Sequence, residues 1–299
     1  MSQKLLRLAS SLRMAPSELE QLEDEAKTAR KVLRLGRTQK IISWRRRGLM
    51  ENDIRLLGTA IKFSRIIRME CIVTIDITCN MCGSMGAGIL ATALMKSPTL
   101  TSLCMGENSL KDEGVEAIAP LVKNNTALKE LDIRGNYITI QGVQAICDAL
   151  IHSSSLTALG LAYNRLTHAG VLPLVAIGFG YLKTIDLRGN ALGKRAAELL
   201  GVGIISNQRR LQRFDIRENP GMCRTSTAIL GRAARDRQKQ FRESQRNAKR
   251  IAKKAKKKFT AEEPPPQIEF YWVQPSELEP LPGSSKATTF VASALCSLM

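Results

Sequence analysis

Six copies of one nine-residue pattern, spaced 26 to 29 residues apart, leave this chain few folds to adopt. The pattern is L-x-x-L-x-L-x-x-N. It reads LTSLCMGEN over Leu100–Asn108, LKELDIRGN over Leu128–Asn136, LTALGLAYN over Leu156–Asn164, LKTIDLRGN over Leu182–Asn190 and LQRFDIREN over Leu211–Asn219. A weaker first copy, IVTIDITCN, spans Ile72–Asn80. Six residues after four of the asparagines stands a glycine (Gly86, Gly114, Gly142, Gly170), and the fifth copy has Ala196 there. Self-similarity at a period of 20–50 residues is the mark of a stacked repeat architecture.

Each copy has a direct physical reading. The L-x-L centre alternates with period two, so it forms a short strand with its leucines turned inward. The asparagine amide can bond backbone groups where the chain leaves the strand. After the glycine, apolar residues recur at helical spacing, as in Val115, Ile118, Leu121 and Val122, or Val143, Ile146 and Leu150. One such strand–helix unit cannot bury its apolar face alone, and stacking makes a continuous core. Hydrophobic residues at 44% supply that core, and aromatics at only 4% make it aliphatic.

Over residues 72–220 the chain resembles the leucine-rich-repeat proteins, of the ribonuclease-inhibitor-like subtype. The resemblance implies an α/β solenoid: an open horseshoe with parallel strands on the concave face, helices outside, and here basic helical flanks. It also implies a macromolecular partner on the concave face. Two columns of residues would point from that face. One reads Asp76, Cys104, Asp132, Gly160, Asp186, Asp215, and the next reads Thr78, Gly106, Arg134, Ala162, Arg188, Arg217. Two readings stand. Either Asp and Arg simply pair on a solvated sheet, or Arg134, Arg188 and Arg217, with Asp132, Asp186 and Asp215 beside them, grip a protein partner while Cys104, Gly160 and Ala162 leave room. Tyr163 and Phe214 are the aromatics near this face.

The net charge of +18 is segregated. Residues 224–258 hold 14 Lys/Arg and 2 acids, and residues 1–47 hold 12 and 5, whereas residues 48–223 are nearly balanced. A near-neutral body with basic extensions points to an acidic partner. The expected organisation is a basic helical or flexible arm over 1–37, a solenoid cap over 38–71, the repeat domain over 72–223, a basic helix over 224–258, and a Pro-rich, largely disordered tail over 259–299. Residues 1–17, with Lys4, Arg7, Arg13 and a face of Leu5, Leu8 and Leu12, read as a mitochondrial presequence or as an ordinary amphipathic arm. Ser17 and Glu20 make a capping-box start for a helix over 17–35, and Glu51–Ile61 reads as the helix of an incomplete first repeat. The triplet Arg45, Arg46, Arg47 beside Trp44 is a weak phosphate-binding signal.

Residues 224–258 lack proline and are rich in Ala, Arg, Lys and Gln, so they form a helix whose first turns cap the solenoid through Ile229, Leu230 and Ala233. Lys249, Arg250, Lys253, Lys254, Lys256, Lys257 and Lys258 would anchor to an acidic polymer, tubulin or RNA, or serve as a nuclear-import signal. In the tail, Phe270, Tyr271 and Trp272 form either a docking motif or a strand folding back on the solenoid. The order of DIRENP, basic helix and IEFYWV resembles the centrosomal and basal-body leucine-rich-repeat proteins, which implies a place at centrioles, basal bodies or the axoneme.

Catalytic chemistry finds no foothold. His152 and His168 lack nameable partners, and Cys79-x-x-Cys82 has no second ligand pair for zinc. GNALGK over Gly189–Lys194 is one residue short of a phosphate loop. Seven scattered cysteines, an odd number, suggest free thiols in a reducing compartment. No apolar run approaches a membrane span. The expectation is a scaffold without enzymatic activity or cofactor, cytoplasmic and cytoskeletal, or alternatively an RNA-associated mitochondrial protein, or a soluble inhibitor.

Overall fold

A computed structural model describes residues 15–33, 40–66, 72–206, 210–254, 264, 266–272 and 290–291. The chain packs as two compact units, one of Met1–Tyr137 with Asp148–Leu156 and one of Ile138–Cys147 with Thr157–Met299. The division falls inside the repeats, where the sequence suggested one domain over 72–223.

The first unit alternates helix and strand: α1 (Pro16–Leu33), β1 (Ile41–Ser43), α2 (Glu51–Ile66), β2 (Thr74–Asp76), α3 (Gly83–Leu94), β3 (Ser102–Cys104), α4 (Lys111–Asn124) and β4 (Glu130–Asp132). The strands pair in parallel in chain order, with Ile42, Ile75, Leu103 and Leu131 in register and fully buried. The flanking Ile77, Met105 and Ile133 are buried too, so each strand contributes alternate residues to the core, as the L-x-L spacing requires. Each such side chain adds roughly 1.5–3 kcal/mol of burial.

The N-terminal end carries more packed structure than the sequence reading specified. Residues 38–71 include a strand, β1, as well as a helix that runs on to Ile66, so the cap has the backbone of a full repeat. The expected arm contains a packed helix: α1 lies against α2 and buries Leu19, Ala26 and Ala29.

The second unit holds α5 (Ile140–Leu150, its last turn counted with the first unit), β5 (Ala158–Gly160), α6 (Leu172–Ala176), β6 (Thr184–Asp186), α7 (Lys194–Ser206), β7 (Arg213–Asp215), α8 (Arg224–Lys254), β8 (Glu269–Trp272) and β9 (Phe290–Val291). Strands β5 to β8 pair in parallel, and β9 pairs antiparallel with β8. In the fourth repeat the helix shrinks to one 3₁₀ turn (Ala169–Val171) and the five residues of α6, because Gly178, Phe179 and Gly180 all take positive φ and turn the chain early. Phe179 fills the resulting space. It is fully buried, sits edge-on to Phe214 at 6.0 Å, and occupies room that a Cβ on Gly203 of α7 would contest at 2.8 Å.

The asparagines stitch neighbouring turns together. In the first unit, Asn108 Nδ2 donates to the Ile77 carbonyl of the preceding repeat (2.9 Å) and the Gly106 carbonyl of its own (2.8 Å), while its Oδ1 accepts the Cys82 N–H (3.3 Å). Asn136 Oδ1 accepts the Asn108 and Leu110 N–H groups at 2.8 and 3.2 Å. In the second unit, Asn190 accepts the Asn164 and Leu166 N–H groups, and Asn219 accepts those of Asn190 and Leu192, all at 3.0–3.1 Å. All these amides are buried, so every bond replaces one that water cannot supply. The recurrent glycines have a packing role: a Cβ on Gly86 would meet Cys82 Sγ at 2.7 Å, and one on Gly114 would meet Leu110 Cβ at 2.9 Å.

Asn108→Ala leaves two carbonyls and one amide of the core without their partner, and should lower stability by about 3 kcal/mol. The exposed Asn124→Ala, whose amide bonds only the Pro120 carbonyl of its own helix, should change it by less than about 0.5 kcal/mol. Urea denaturation of both variants checks this.

Candidate partner-binding face and basic helix

Period-two alternation puts the first, third and fifth residues of each strand segment on one face, so Glu130, Asp132 and Arg134 rise together from β4 and its exit. The aspartate column has a local cause. Asp132 Oδ1 accepts the N–H of Arg134 at 3.1 Å, Asp186 that of Arg188 at 3.1 Å, Asp215 that of Arg217 at 3.2 Å, and Asp76 that of Thr78 at 3.1 Å. Each carboxylate thereby satisfies the backbone where the strand ends, and Asp132, Asp186 and Asp215 also take the guanidinium two residues on. Arg188 grips Asp186 in a fork (Nε–Oδ1 3.0 Å, Nη2–Oδ2 2.7 Å), and Arg217 grips Asp215 in the same way (3.0 and 2.7 Å). Arg188 Nε also lies 3.4 Å from Asp215 Oδ2, tying two adjacent repeats. The hydrogen bond to Asp186 raises the Arg188 pKa, and the bond to Asp215 raises that of Arg217. Partly exposed pairs of this kind add up to about 1 kcal/mol each. Their larger effect is to fix the guanidinium planes before anything binds.

In the first unit the pairing is sparser and the face more acidic. Arg134 reaches Asp132 at 3.3 Å and Glu107 at 4.0 Å, lying across Gly106, where a Cβ would meet its Cγ at 2.8 Å. Arg45, from the triplet that gave only a weak signal, bonds Asp76 from the repeat before. Ser102 donates to Glu130 at 3.0 Å. Cys104 lies between Asp76 and Asp132 in the same column, and burial pushes its thiol up to about 11.

A third column forms the rim of the face. The residue before every repeat asparagine has positive φ: Cys79, Glu107, Gly135, Tyr163, Gly189 and Glu218, between 53° and 64°. In the second unit Tyr163 lies over Gly189, whose missing side chain lets the phenol reach Glu218 one repeat further on. That hydrogen bond raises the phenol pKa. The Arg188 guanidinium stands 6.0 Å from the same ring, within cation–π range. Tyr163 is 47% exposed on this face, whereas Phe214, at an inward position of its strand, is fully buried.

The basic helix α8 packs on α7, with Ala233 and Ile229 close to Gly201, and buries Leu230, Ala233, Arg237 and Phe241 in a stripe at helical spacing. Arg224, Arg232, Arg235, Lys239, Arg242, Arg246, Lys249 and Arg250 are exposed, with Asp236 and Glu243 as the acids among them. Lys253 and Lys254 lie in its last turn, and Lys256, Lys257 and Lys258 fall outside the described residues. Of the two readings of the tail, the structure holds the strand: the backbone of Phe270, Tyr271 and Trp272 belongs to β8, paired with β7. Sequence reasoning missed Glu107, Glu130, Glu218 and Arg213 on the face. The period-two spacing that selected Asp132 and Arg134 applied equally to Glu130.

A family model described as leucine rich repeat matches residues 96–119 and 124–147. Among solved structures, the chain is similar to leiomodin-1 actin-binding site 2, with 15% identity over 60% of this chain and 89% of that one and a TM-score of 0.36. It is also similar to a chain of the Rad7 and Elc1 complex in yeast, with 11% identity over 77% and 84% and a TM-score of 0.33. No curated protein matches. The family match over two repeats and the repeat geometry of the rest are those of a leucine-rich-repeat protein. Among the described residues, no His, Cys, Asp and Glu are grouped to hold a metal ion, and no helix is long and apolar enough to cross a membrane.

The thiols report these environments. Cys223, just before α8, bonds the Ser226 and Thr225 hydroxyls, which pull its pKa down to about 6, while burial pushes Cys82 up to about 12. Thiolate is the reactive form. Iodoacetamide at pH 7 should therefore label Cys223 well ahead of Cys104 and Cys82, with a rate that falls only below about pH 6. Peptide mass spectrometry over a pH series checks the order.

Proposed function

We propose that the protein is a non-enzymatic scaffold of the ribonuclease-inhibitor-like subtype, which binds a protein partner on the Asp/Arg sheet face and an acidic polymer through α8. The observation that carries this reading is the division of labour within α8. One stripe, ending at Phe241, is buried, and every cation from Arg242 to Arg250 is exposed. A helix that only capped the repeats would end with its buried stripe. This one continues to Lys254 as a rod of positive charge.

The partner we favour for that rod is a protein lattice with acidic tails, such as tubulin, which would make the molecule a cytoskeletal adaptor at a centriole, basal body or axoneme. On the sheet face, the forked Arg188–Asp186 and Arg217–Asp215 pairs and Tyr163 offer fixed planar groups, the kind of side chain that dominates binding energy at interfaces. An RNA partner in a mitochondrial ribonucleoprotein is the second reading. It is favoured by the charge of α8, and opposed by the burial of Phe241, which leaves that stretch without an exposed aromatic for stacking on bases.

Full-length protein should co-sediment with microtubules at low salt, lose binding when the acidic tubulin tails are removed by proteolysis, and lose roughly tenfold in affinity when Arg246, Lys249 and Arg250 are changed to Gln. Binding to unrelated RNA of equal strength, with none to microtubules, would move the RNA reading to the front. Binding to neither would remove both.

A further inference from the structure

Among the described residues Arg237 is the only buried cation, at 1% exposure. Its Nη1 donates weakly to the Leu211 carbonyl (3.3 Å) and the Pro266 carbonyl (3.4 Å), while Nε and Nη2 meet no acceptor among the described residues. Burial lowers its pKa to about 10. A guanidinium is a planar fork of five donors shaped for a carboxylate. Here it has two long bonds to main-chain oxygens instead.

Its position gives this meaning. Leu211 leads into β7 and Pro266 leads into β8, so the guanidinium lies at the entrance of the ladder between them. That ladder is short. The Glu269 N–H donates to the Gln212 carbonyl at 2.6 Å, and Arg213, Phe214 and Asp215 stand opposite Glu269, Phe270 and Tyr271. Arg213 Nε and Glu269 Oε2 are 3.4 Å apart, with both side chains at least half exposed. Ile268 is buried beside the entrance. The described residues of the tail thus supply β7 with main-chain bonds, an apolar contact and one exposed ion pair, but no carboxylate to the fork at the start.

We propose that the edge of β7 is a strand-addition site for an extended partner segment that brings a carboxylate to Arg237, and that the chain's own Pro266–Trp272 segment fills this edge until such a partner arrives. In strand addition the main chain gives affinity and the side chains choose the partner. Arg213 and Arg237 together select an acidic, extended segment. The site is separate from the exposed cations of α8, so it stands or falls apart from the scaffold reading.

The test uses the full chain and two fluorescent peptides copied from residues 264–273, one carrying Pro266→Glu and the other Pro266→Gln. A second form of the protein carries Arg213→Cys with Glu269→Cys, which face each other across the ladder and can lock the tail in place by oxidation. The Glu peptide should bind the unlocked protein about tenfold more tightly than the Gln peptide, as expected for one charge-assisted hydrogen bond. Arg237→Met should abolish the preference, and oxidation of the cysteine pair should abolish binding. Equal binding of the two peptides, binding that survives the lock, or no binding to the unlocked protein would overturn the proposal. The comparison of peptides on the unsubstituted chain needs no variant, so a folding defect in Arg237→Met cannot hide the answer.

Discussion

The bond on which the rest depends joins an asparagine side chain to the backbone of the turn before it. Each strand is three residues long, and the turn that follows it holds N–H and C=O groups that the asparagine side chains take up. Asn is suited to this place because one side chain offers both an acceptor and two donors. Asn190 shows the full set: its Oδ1 takes the Asn164 and Leu166 N–H groups, and its Nδ2 reaches the Leu161, Leu187 and Arg188 carbonyls. A repeat cannot shift along the stack without breaking several of these bonds at once, so the ladder fixes register as well as stability.

Register then fixes the surface. Because the asparagine turns the chain in the same way each time, the residue before it is held at positive φ and its side chain lands on the rim. Because the strand starts and stops in the same place, Asp and Arg two residues apart recur at equivalent points and close the same fork at Asp186–Arg188 and Asp215–Arg217. Where a repeat departs, its neighbours adjust by local means. Gly189 makes room for Tyr163, Gly106 for Arg134, and Gly203 for Phe179. A regular backbone with irregular side chains is what a binding scaffold needs.

Much of this was legible in the sequence, since one alternating pattern and one asparagine column determine which residues are buried. Strand centres, the aspartate and arginine columns and the start of α8 all follow from it. What escaped is of two kinds. Long-range partners such as Tyr163 with Glu218, or Arg45 with Asp76, depend on which side chain the neighbouring repeat lacks, and spacing within one repeat does not carry that. Arg237 escaped for the opposite reason. It sits squarely on the stripe of Leu230, Ala233 and Phe241, but its charge argued for solvent, and only the packing of α8 within the second unit shows otherwise. The shortened fourth helix was hinted at by Pro173, Gly178 and Gly180, whose turn conformations settle where it stops.

The most direct test of the ladder is amide hydrogen exchange by NMR on the full chain. Among the described residues, amides bonded to the Oδ1 atoms of the repeat asparagines include those of Arg47, Leu49, Cys82, Asn108, Leu110, Ile138, Asn164, Leu166, Asn190 and Leu192. They should exchange as slowly as strand-ladder amides such as Met105 and Leu187, whose acceptors are backbone carbonyls. Exchange of this set at the rate of exposed loop amides, with the strand amides still protected, would show that the asparagines do not hold the repeats in register.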